Sequence, residues 1–275
     1  YLNNIPEYKE FYLSKISTLK ELNGFLAISE SAKREGIKYL DIDPDKIFNI
    51  SSACDIEIFN QELKGTKNQD KYILYTGAAD PRKNLRRLVQ AYSLLSTKVM
   101  RKYKLVLAGG FQEQEIILIN QWIHEYAIPH GLVSLKGYVS DEELASLYRN
   151  CDLFIFPSLH EGFGLPALEA ISCGAVVIGS NSTSVPEVIK EPEALFNPRD
   201  VEEIAELIEK ALTDRDFQKK LKDNAITRSS SFSWDISARK SISAFIKLIN
   251  DDNKIKSHSI KRKISEESDL DKLIR

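Results

Sequence analysis

The sequence has few cysteines, few histidines and no long run of apolar residues. Its three cysteines, Cys54, Cys151 and Cys173, are widely spaced and form no CxxC pair and no metal-ligand spacing with the four histidines. This pattern is not typical of a disulfide framework and favours buried free thiols in a reducing compartment. No apolar run approaches the roughly 20 residues that a membrane-spanning helix needs, and no signal-peptide pattern is present. We therefore expect a cytoplasmic protein, associated at most peripherally with the inner face of a membrane.

The sequence also lacks an excess of either charge. Lysine and arginine number 38 and the acidic residues 40, giving a formal net charge of -2, so nothing in the overall charge indicates a nucleic-acid partner. Hydrophobic residues at 43% and charged residues at 28% are typical of a globular protein with a normal core. Because the chain has 275 residues and begins at Tyr1 rather than at a methionine, we expect a piece of a longer protein.

Short apolar runs alternate with helical patterns through the middle of the sequence. The runs that predict buried strands lie at residues 71–76, 104–108, 132–135, 152–156 and 175–179. Between the first two, apolar residues recur at helical spacing at Leu85, Leu88, Val89, Tyr92 and Leu95. Ser140 and Glu143 have the spacing of a capping box, which predicts that a helix begins there. Alternation of this kind predicts a parallel sheet with helices on both faces, a doubly wound, Rossmann-like α/β domain.

The two ends of the sequence differ from this central α/β domain, which we assign to residues 71–228. Residues 1–60 contain a helical stretch at 8–22 and strand patterns at 25–29 and 46–50, which is too little to close a sheet. They are predicted to be the end of a preceding domain, joined by a polar linker at 61–70. Residues 229–250 have helical period and are expected to return toward that preceding domain. Residues 251–275 form a charged tail of low apolar content.

The segment after the first strand of the central domain has features of an anion-binding loop. Gly77 at the strand end would let backbone approach a ligand closely. A helix begins seven residues later, and its first amides and positive dipole end favour phosphate. Lys83 lies where its ammonium group could neutralise a diphosphate. The pattern alone fits a solvated basic loop equally well.

The segment after the fourth predicted strand combines a turn with two carboxylates. The consecutive amides of Phe163, Gly164 and Leu165 stand at the start of a helix, which makes them a candidate anion cradle. Glu161 precedes this turn and Glu169 lies one turn inside the helix. Carboxylates would repel phosphate, so we expect them to accept hydrogen bonds from sugar hydroxyls. For Glu161 a turn-capping role, and for Glu169 a solvated position on the helix, remain alternatives.

Glu161 and Glu169 are separated by seven residues in the setting HEGFGLPALEA, which resembles the E-x7-E motif of family 4 retaining glycosyltransferases of the GT-B fold. The resemblance also covers GAADPRKNLRRLVQAY, KLVLAGG, LKGYVSDEELASLY, DLFIFPSLHEGFGLPALEAISCGAVVIGSN and SVPEVI. It extends to about Asn250. Residues 1–60, with FLAISESAK and DKIFNISSACD, resemble the last part of the family's N-terminal acceptor domain. The implied fold is therefore the C-terminal domain of a GT-B enzyme with the end of the N-terminal domain attached.

The resemblance implies a role for each motif residue of the carboxylate segment. Glu169 would hold the ribose of a nucleotide. Glu161, the candidate catalytic residue, would contact hydroxyls of the donor sugar. The backbone of Phe163, Gly164 and Leu165 would meet the diphosphate and the sugar.

The same resemblance assigns the remaining donor-binding residues to two other loops. Lys83 would bind the diphosphate, with Arg82 beside it and Gly77 allowing close approach. The turn that contains Val139 and Asp141 would lie beside the base, chiefly through the backbone of Val139.

The sequence departs from the family pattern in two respects. Ala78 stands where many members have an arginine after the glycine. Arg82 could replace part of that charge, but it neighbours Lys83 and is expected to point elsewhere, which puts phosphate affinity in doubt. Most of the acceptor domain, including the family's usual active-site histidine, has no counterpart among these 275 residues. None of the four histidines of the sequence matches that active-site histidine; they are His124, His130, His160 and His258. For His160, beside Glu161, we expect a packing or turn role.

The resemblance implies a hexosyltransferase that moves a sugar from a nucleotide diphosphate sugar to a hydroxyl with retention at the anomeric carbon. No cofactor or metal is expected. The PRKN and SLHEGFGLP segments resemble bacterial mannosyltransferases, so GDP-mannose is the first candidate donor and UDP-sugars come next. The acceptor would be a glycan or lipid-linked glycan in polysaccharide or glycoconjugate synthesis. Without the missing N-terminal lobe, the chain alone is expected to be inactive.

Two other classes of function remain open at this point. A non-catalytic nucleotide-sugar-binding or assembly module would keep this domain and lose the chemistry. An epimerase or a phosphorylase could share the fold. However, an epimerase needs catalytic carboxylates and a histidine, and we can assign no counterpart to them. A phosphorylase of the glycogen type needs a cofactor lysine, which also has no assignable counterpart.

Overall fold

The computed structural model describes residues 6–61 and 70–251, and these divide into two compact units. One unit contains the described residues up to 28, residues 33–50 and those from 235 onward; the other contains residues 29–32 and those between 51 and 234. Most of the predicted linker, residues 62–69, and residues 252–275 of the predicted tail lie outside the described residues.

The smaller unit contains two parallel strands, β1 (Phe25–Ala27) and β2 (Ile47–Asn49). Helix α1 (Pro6–Thr18) precedes β1, and α2 (Glu30–Leu40) begins after it. Residues 234–251 form a further helix. The first strand was predicted to reach Ser29, but it ends at Ala27. Ser29 belongs to the start of α2, where its hydroxyl accepts a hydrogen bond from the Ala32 amide.

The larger unit is built on a parallel sheet of six strands. These are β3 (Tyr72–Thr76), β4 (Lys104–Ala108), β5 (Val133–Gly137), β6 (Leu153–Phe156), β7 (Val177–Ser180) and β8 (Leu195–Phe196). The first five confirm the predicted strands; β4 has the predicted bounds, and no end of the others is shifted by more than two residues. The sequence did not predict the two-residue β8. Every residue of β3, β6 and β7 is buried, as expected for a sheet covered on both faces.

Helices connect the strands of the larger unit. They are α3 (Leu85–Ser93), α4 (Thr97–Lys102), α5 (Glu113–Glu125), α6 (Asp141–Asn150), α7 (Leu165–Ser172), α8 (Val185–Ile189), α9 (Val201–Thr213) and α10 (Arg215–Ser229). The predicted capping box at the start of α6 is confirmed: the Glu143 amide donates to Ser140 Oγ at 3.3 Å, and the Ser140 amide donates to the Glu143 carboxylate at 3.2 Å.

The order of the strands creates a crevice at the middle of the sheet. The order is β5-β4-β3-β6-β7-β8, which reads 3-2-1-4-5-6 when the six strands are numbered from β3. This is the doubly wound Rossmann order, and it confirms the predicted fold class. The chain runs outward from β3 in one direction and then outward from β6 in the other. Ligands of such sheets bind outside the carboxyl ends of the strands at this switch point, here between β3 and β6.

Candidate functional site

Glycines, which have no side chain, lie at the carboxyl ends of β3, β4 and β5, at Gly77, Gly109 and Gly137. Gly77 has a φ of +142° and its amide donates to the Ala108 carbonyl at 3.0 Å. A Cβ atom added to Gly109 would overlap the Gly77 carbonyl, so side chains are excluded where these two loops meet. The Gly109 amide in turn donates to the Gly137 carbonyl at 2.9 Å. The predicted close approach of backbone at Gly77 therefore extends along three adjacent strands.

The loop after Gly77 turns through a short 3-10 helix, Pro81–Lys83. Asp80 caps this turn, since its Oδ1 accepts from the Arg82 amide at 2.8 Å. Asp80 also holds the Arg82 guanidinium, with Nε 3.0 Å from Oδ1 and Nη2 3.2 Å from Oδ2. Hydrogen bonds from Arg82 and the charges of Arg82 and Lys83 outweigh the effect of burial and lower the pKa of Asp80. The charge of Arg82 is thus engaged within its own loop, and its contact with the donor stays a prediction.

Asn84 fixes this loop against two neighbouring segments. It is buried, and its φ of 61° is a left-handed conformation that asparagine tolerates better than most residues. Its Nδ2 donates to the carbonyls of Pro157 at 3.0 Å and Pro198 at 2.6 Å, while its Oδ1 accepts from Arg87 at 2.9 Å. Because Asn84 follows Lys83 directly, these bonds set where Lys83 lies relative to the end of β6.

Lys83 and Glu161 meet across the switch point. The Lys83 Nζ lies 2.7 Å from Glu161 Oε1, and only 23% and 13% of the two side chains are exposed. Nζ also lies 5.8 Å from the centroid of the Phe156 ring. The sequence indicated both residues as ligand-binding groups on separate loops but did not predict their contact. Lys83 is therefore held by a specific partner in the crevice, and the alternative of a solvated basic loop is wrong for this residue.

Hydroxyl groups hold the backbone of the turn that carries Glu161. The Glu161 amide donates to Thr183 Oγ1 at 2.9 Å, and the Ser184 hydroxyl donates to the Glu161 carbonyl at 2.9 Å. The Ser29 hydroxyl donates to the Gly162 carbonyl at 2.7 Å. Because three side chains satisfy this backbone, the carboxylate of Glu161 is left to meet Lys83.

The predicted amide cradle lies at the N-terminus of α7. Gly164 has a φ of +110° and Pro166 occupies the first turn. The first backbone hydrogen bond of this helix runs from the Ala167 amide to the Gly164 carbonyl at 3.0 Å. The amides of Phe163, Gly164 and Leu165 lie before it in the chain. The Phe163 side chain is buried and packs edge-on against Phe232 with 5.4 Å between ring centroids. Packing of this side chain orients the backbone of the turn.

Glu169 is connected to the sheet by a buried tyrosine. The Tyr148 hydroxyl donates to Glu169 Oε2 at 3.1 Å and lies 3.0 Å from Thr76 Oγ1 at the end of β3. Burial raises the pKa of Glu169, the Tyr148 hydrogen bond opposes this shift, and the charge of Asp141 adds to it. The alternative of a solvated helix residue is therefore wrong for Glu169.

The remaining predicted residues lie at the carboxyl end of β5 and in the Glu161 turn. Val139 is half-buried against the core, and Asp141 is exposed in the first turn of α6. Their position beside a base stays a prediction. His160 is exposed, so the expected packing role is not supported and the turn position remains.

The sequence also led to expectations about metal ions, cysteines and membrane-spanning helices. Among the described residues, no group of three or more histidine, cysteine and acidic side chains could hold a metal ion. The three cysteines are free; Cys54 and Cys173 are buried as predicted, whereas Cys151 is only partly buried. In the part of the chain that the structure describes, no helix has the length and apolar character needed to cross a membrane.

Sequence reasoning missed four residues that support the site. Tyr148 and Thr76 lie within apolar helix and strand patterns, and one polar group in such a pattern does not indicate a functional role. Asn84 and Thr183 lie in polar loops where any of several residues could have supported the turn. The signal that could have identified Asn84 is its position directly before the periodic apolar residues of α3.

The sheet order, the glycine loops and the charged pair at the switch point are features of a Rossmann-like domain, whose ligands bind outside the carboxyl ends of the strands. Residues 57–228 match the family of glycosyl transferases group 1, and the chain belongs to this family. It is 40% identical over 253 residues to the Escherichia coli serotype-specific mannosyltransferase WbdA, a match that covers 89% of this chain and 31% of the relative. The chain thus spans about a third of that relative's length.

Two further similarities extend this result. The Escherichia coli O-antigen chain mannosyltransferase B is 33% identical, with 87% of this chain and 65% of the relative covered. A glycosyltransferase structure from Rickettsia africae superimposes with a TM-score of 0.72 at 20% identity, covering 82% of this chain and 63% of that chain. The structural likeness supports the GT-B fold assignment.

Proposed function

We propose that this chain is the donor-binding part of a retaining mannosyltransferase that transfers mannose from GDP-mannose to a hydroxyl of a growing polysaccharide. Two Escherichia coli relatives, WbdA and O-antigen chain mannosyltransferase B, are named as mannosyltransferases, and the E-x7-E motif resembles that of the retaining family. An O-antigen-type glycan or lipid-linked glycan is the proposed acceptor. The proposal places the reaction in the cytoplasm, with at most peripheral contact with the inner membrane face.

The observation that carries this proposal is the contact between Lys83 and Glu161 beside the amides of α7. In the proposed complex the diphosphate accepts hydrogen bonds from Lys83 and from the amides of Phe163, Gly164 and Leu165. As the bond from the anomeric carbon to the diphosphate breaks, negative charge grows on the leaving oxygen. An ammonium and amides already in position stabilise that charge, which is the largest contribution a preorganised site makes.

Glu161 has a separate role in this proposal. Its carboxylate holds Lys83 in the crevice and accepts hydrogen bonds from hydroxyls of the donor sugar. Glu169, one turn inside α7, accepts two hydrogen bonds from the ribose diol. Since one ammonium and a helix N-terminus take the diphosphate charge, we propose that transfer proceeds without a metal ion.

Calorimetric titration with GDP, UDP and ADP, with a parallel transfer assay, tests the proposal. We expect the chain to bind GDP most tightly and to transfer no mannose alone, because transfer is proposed to need the N-terminal lobe. Transfer should appear in the longer parent protein. Failure to bind any of the three nucleotides would contradict the proposal.

A non-catalytic nucleotide-sugar-binding module is the second candidate. The observation that favours it is Ala78, which leaves the β3 loop without the arginine that many family members carry. In that case the parent protein would bind GDP-mannose but neither transfer nor hydrolyse it.

A further inference from the structure

A chain of hydrogen-bonding side chains links the β3 loop to Glu169. It consists of Thr76 at the end of β3, Tyr148 on α6 and Glu169 on α7, with contacts of 3.0 and 3.1 Å. The Tyr148 side chain is fully buried. Its ring packs edge-on against Phe154, with centroids 5.2 Å apart, and against Phe59 at 6.1 Å. Since the ring is enclosed, its hydroxyl occupies a fixed point beside Glu169.

While Glu169 is ionised, the two hydrogen bonds that join Thr76, Tyr148 and Glu169 can be donated in only one direction. A carboxylate only accepts hydrogen bonds, and a phenol has one proton to donate. The Tyr148 proton therefore goes to Glu169 Oε2, and the Thr76 hydroxyl donates its own proton to Tyr148. Each group has a partner, and the carboxylate plane is fixed from the buried side. In the proposed complex, the second oxygen, Oε1, accepts from the ligand.

We propose that Tyr148 is a positioning residue that orients the Glu169 carboxylate for the two hydroxyls of the nucleotide ribose, and that Thr76 supports it. This inference rests on the proposed function, which assigns the ribose to Glu169. A diol needs an acceptor carboxylate in one orientation, since both hydroxyls must reach it together. Glu169 alone has torsional freedom in its side chain, and the bond from Tyr148 removes most of it.

The groups that face Glu169 support the same role. Tyr148 on α6 favours the ionised form that a diol requires, whereas burial and the charge of Asp141, also on α6, favour the protonated form and together raise the pKa of Glu169. Glu169 also faces Cys54 and Cys173, whose own pKa values are raised by burial, so both thiols are neutral. Without the Tyr148 hydroxyl, the pKa of Glu169 rises further, and the carboxylate becomes protonated at a higher pH.

The test compares GDP with 2′,3′-dideoxy-GDP, which lacks both ribose hydroxyls, by titration calorimetry across pH. In Tyr148→Phe we expect GDP to bind about tenfold more weakly, the loss typical of a hydrogen bond to a charged group, and dideoxy-GDP to bind as in the parent chain. The fall of GDP affinity at low pH should also begin at a higher pH. Thr76→Val should give a smaller change in the same direction, and Thr76→Ser, which keeps the hydroxyl, should give none. Thermal unfolding of each variant confirms that it is folded.

Glu169→Ala separates this inference from the function on which it rests. If Glu169→Ala removes the preference for GDP over dideoxy-GDP and Tyr148→Phe reduces it, the proposal is supported. If Glu169→Ala removes the preference but Tyr148→Phe and Thr76→Val keep the parent ratio and pH profile, the positioning role is wrong and the ribose assignment stands. If Glu169→Ala leaves the ratio unchanged, the ribose assignment and the positioning role both fail.

Discussion

At the scale of single residues, the contact of Lys83 with Glu161 determines how the crevice responds to a charged ligand. The two groups are 2.7 Å apart and mostly buried, so the carboxylate partly neutralises the ammonium before any ligand arrives. A diphosphate entering the crevice competes with Glu161 for Lys83. Glu161 consequently keeps Lys83 in position at the cost of some anion affinity.

The first prediction concerns the charge of Lys83. Lys83→Met keeps the unbranched, apolar part of the side chain and removes the ammonium, so we expect GDP to bind roughly ten- to a hundredfold more weakly, as for the loss of a charge-assisted contact of about 1.5–3 kcal/mol. Binding of guanosine, which has no phosphate, should change little. Added salt should weaken the parent chain more than the variant. Lys98→Met, on the exposed side of α4, is the matched control. An equal loss for GDP and guanosine would show that Lys83 supports the shape of the loop instead.

The second prediction concerns the partner carboxylate. Glu161→Gln keeps an oxygen that can accept from Lys83 Nζ but removes the competing negative charge. We expect GDP to bind a few fold more tightly, whereas mannose transfer by the parent protein falls because the sugar hydroxyls lose a carboxylate. Titration with GDP and the transfer assay measure the two effects separately. Weaker GDP binding in Glu161→Gln would mean that the carboxylate's main effect is to hold the ammonium in place.

The third prediction follows from the burial of Glu169. Its raised pKa means that the folded chain holds the Glu169 proton more tightly than the unfolded chain does. The free energy of unfolding therefore loses this contribution as the pH rises from the ordinary glutamate range through the raised pKa. Glu169→Gln should be more stable than the parent at about pH 8, with the difference shrinking toward about pH 4, near the pKa of a free glutamate. Urea unfolding at both pH values measures this. A constant difference across pH would contradict it.

At the scale of loops and helices, Thr183 lies at a strained point next to the site. Its φ of 50° is left-handed, a conformation that a β-branched residue rarely adopts. Its Oγ1 nevertheless accepts the Glu161 amide at 2.9 Å. Strain of this kind persists where the surrounding structure requires it and clusters at functional sites.

The fourth prediction uses this strain. Thr183→Gly relieves about 1–3 kcal/mol of backbone strain and loses one hydrogen bond of about 1 kcal/mol, so we expect the free energy of unfolding to change little or to rise. Affinity for GDP-mannose relative to GDP should fall, because the Glu161 backbone loses its anchor. Thr183→Ser, which keeps the hydroxyl, is the control and should preserve the ratio. A large destabilisation together with an unchanged ratio would rule out this account.

Elements with a strong apolar pattern were predictable and their exact ends were not. The strand β3 reads as an unbroken apolar run because both faces of the sheet are covered. β8 has only two residues, Leu195 and Phe196, and no pattern can distinguish so short a strand from a loop. Strand ends depend on pairing with a neighbour, and the register shift between β4 and β5 at Leu107 and Ala108 is an example.

The candidate site was predictable residue by residue, whereas its contacts were not. Lys83, Glu161 and Glu169 could be singled out because they follow two buried strands, in the loops or in the helix after them, and because they match the motifs of the family. The pairing of Lys83 with Glu161 depends on β3 lying beside β6, and chain order alone does not determine which strands are neighbours. The supporting side chains, such as Tyr148, show their role only through distances in the folded chain.

At the scale of the whole molecule, ligand binding should stabilise one unit more than the other. All predicted donor contacts fall in the larger unit, between residues 77 and 169. A ligand present at about 100 times its Kd adds about 2.7 kcal/mol to the stability of the form that binds it.

The fifth prediction applies this to hydrogen exchange. With saturating GDP, amides of β3 and β6 that exchange by unfolding of the larger unit should slow by up to about a hundredfold. Amides of β1 and β2 should be much less affected. Mass spectrometry of peptides from the two units makes the comparison, with guanosine as the control ligand. Uniform slowing in both units would mean that they unfold together.

The position of the crevice between β3 and β6 also has a consequence for synthesis on the ribosome. The amide of Tyr72 in β3 bonds to the carboxylate of Asp152, 80 residues later in the chain. At about 5–20 residues per second, β6 leaves the ribosome several seconds after β3. During that interval β3, β4 and β5 can form a half-sheet whose β3 edge is unpaired and open to other nascent strands. In the proposed site, nucleotide would find only part of its contacts on this half-sheet, because Glu161, the α7 amides and Glu169 have not yet been made. The β3 edge, which later lies at the ligand-binding switch point, is thus exposed to unwanted strand pairing until β6 has been synthesised.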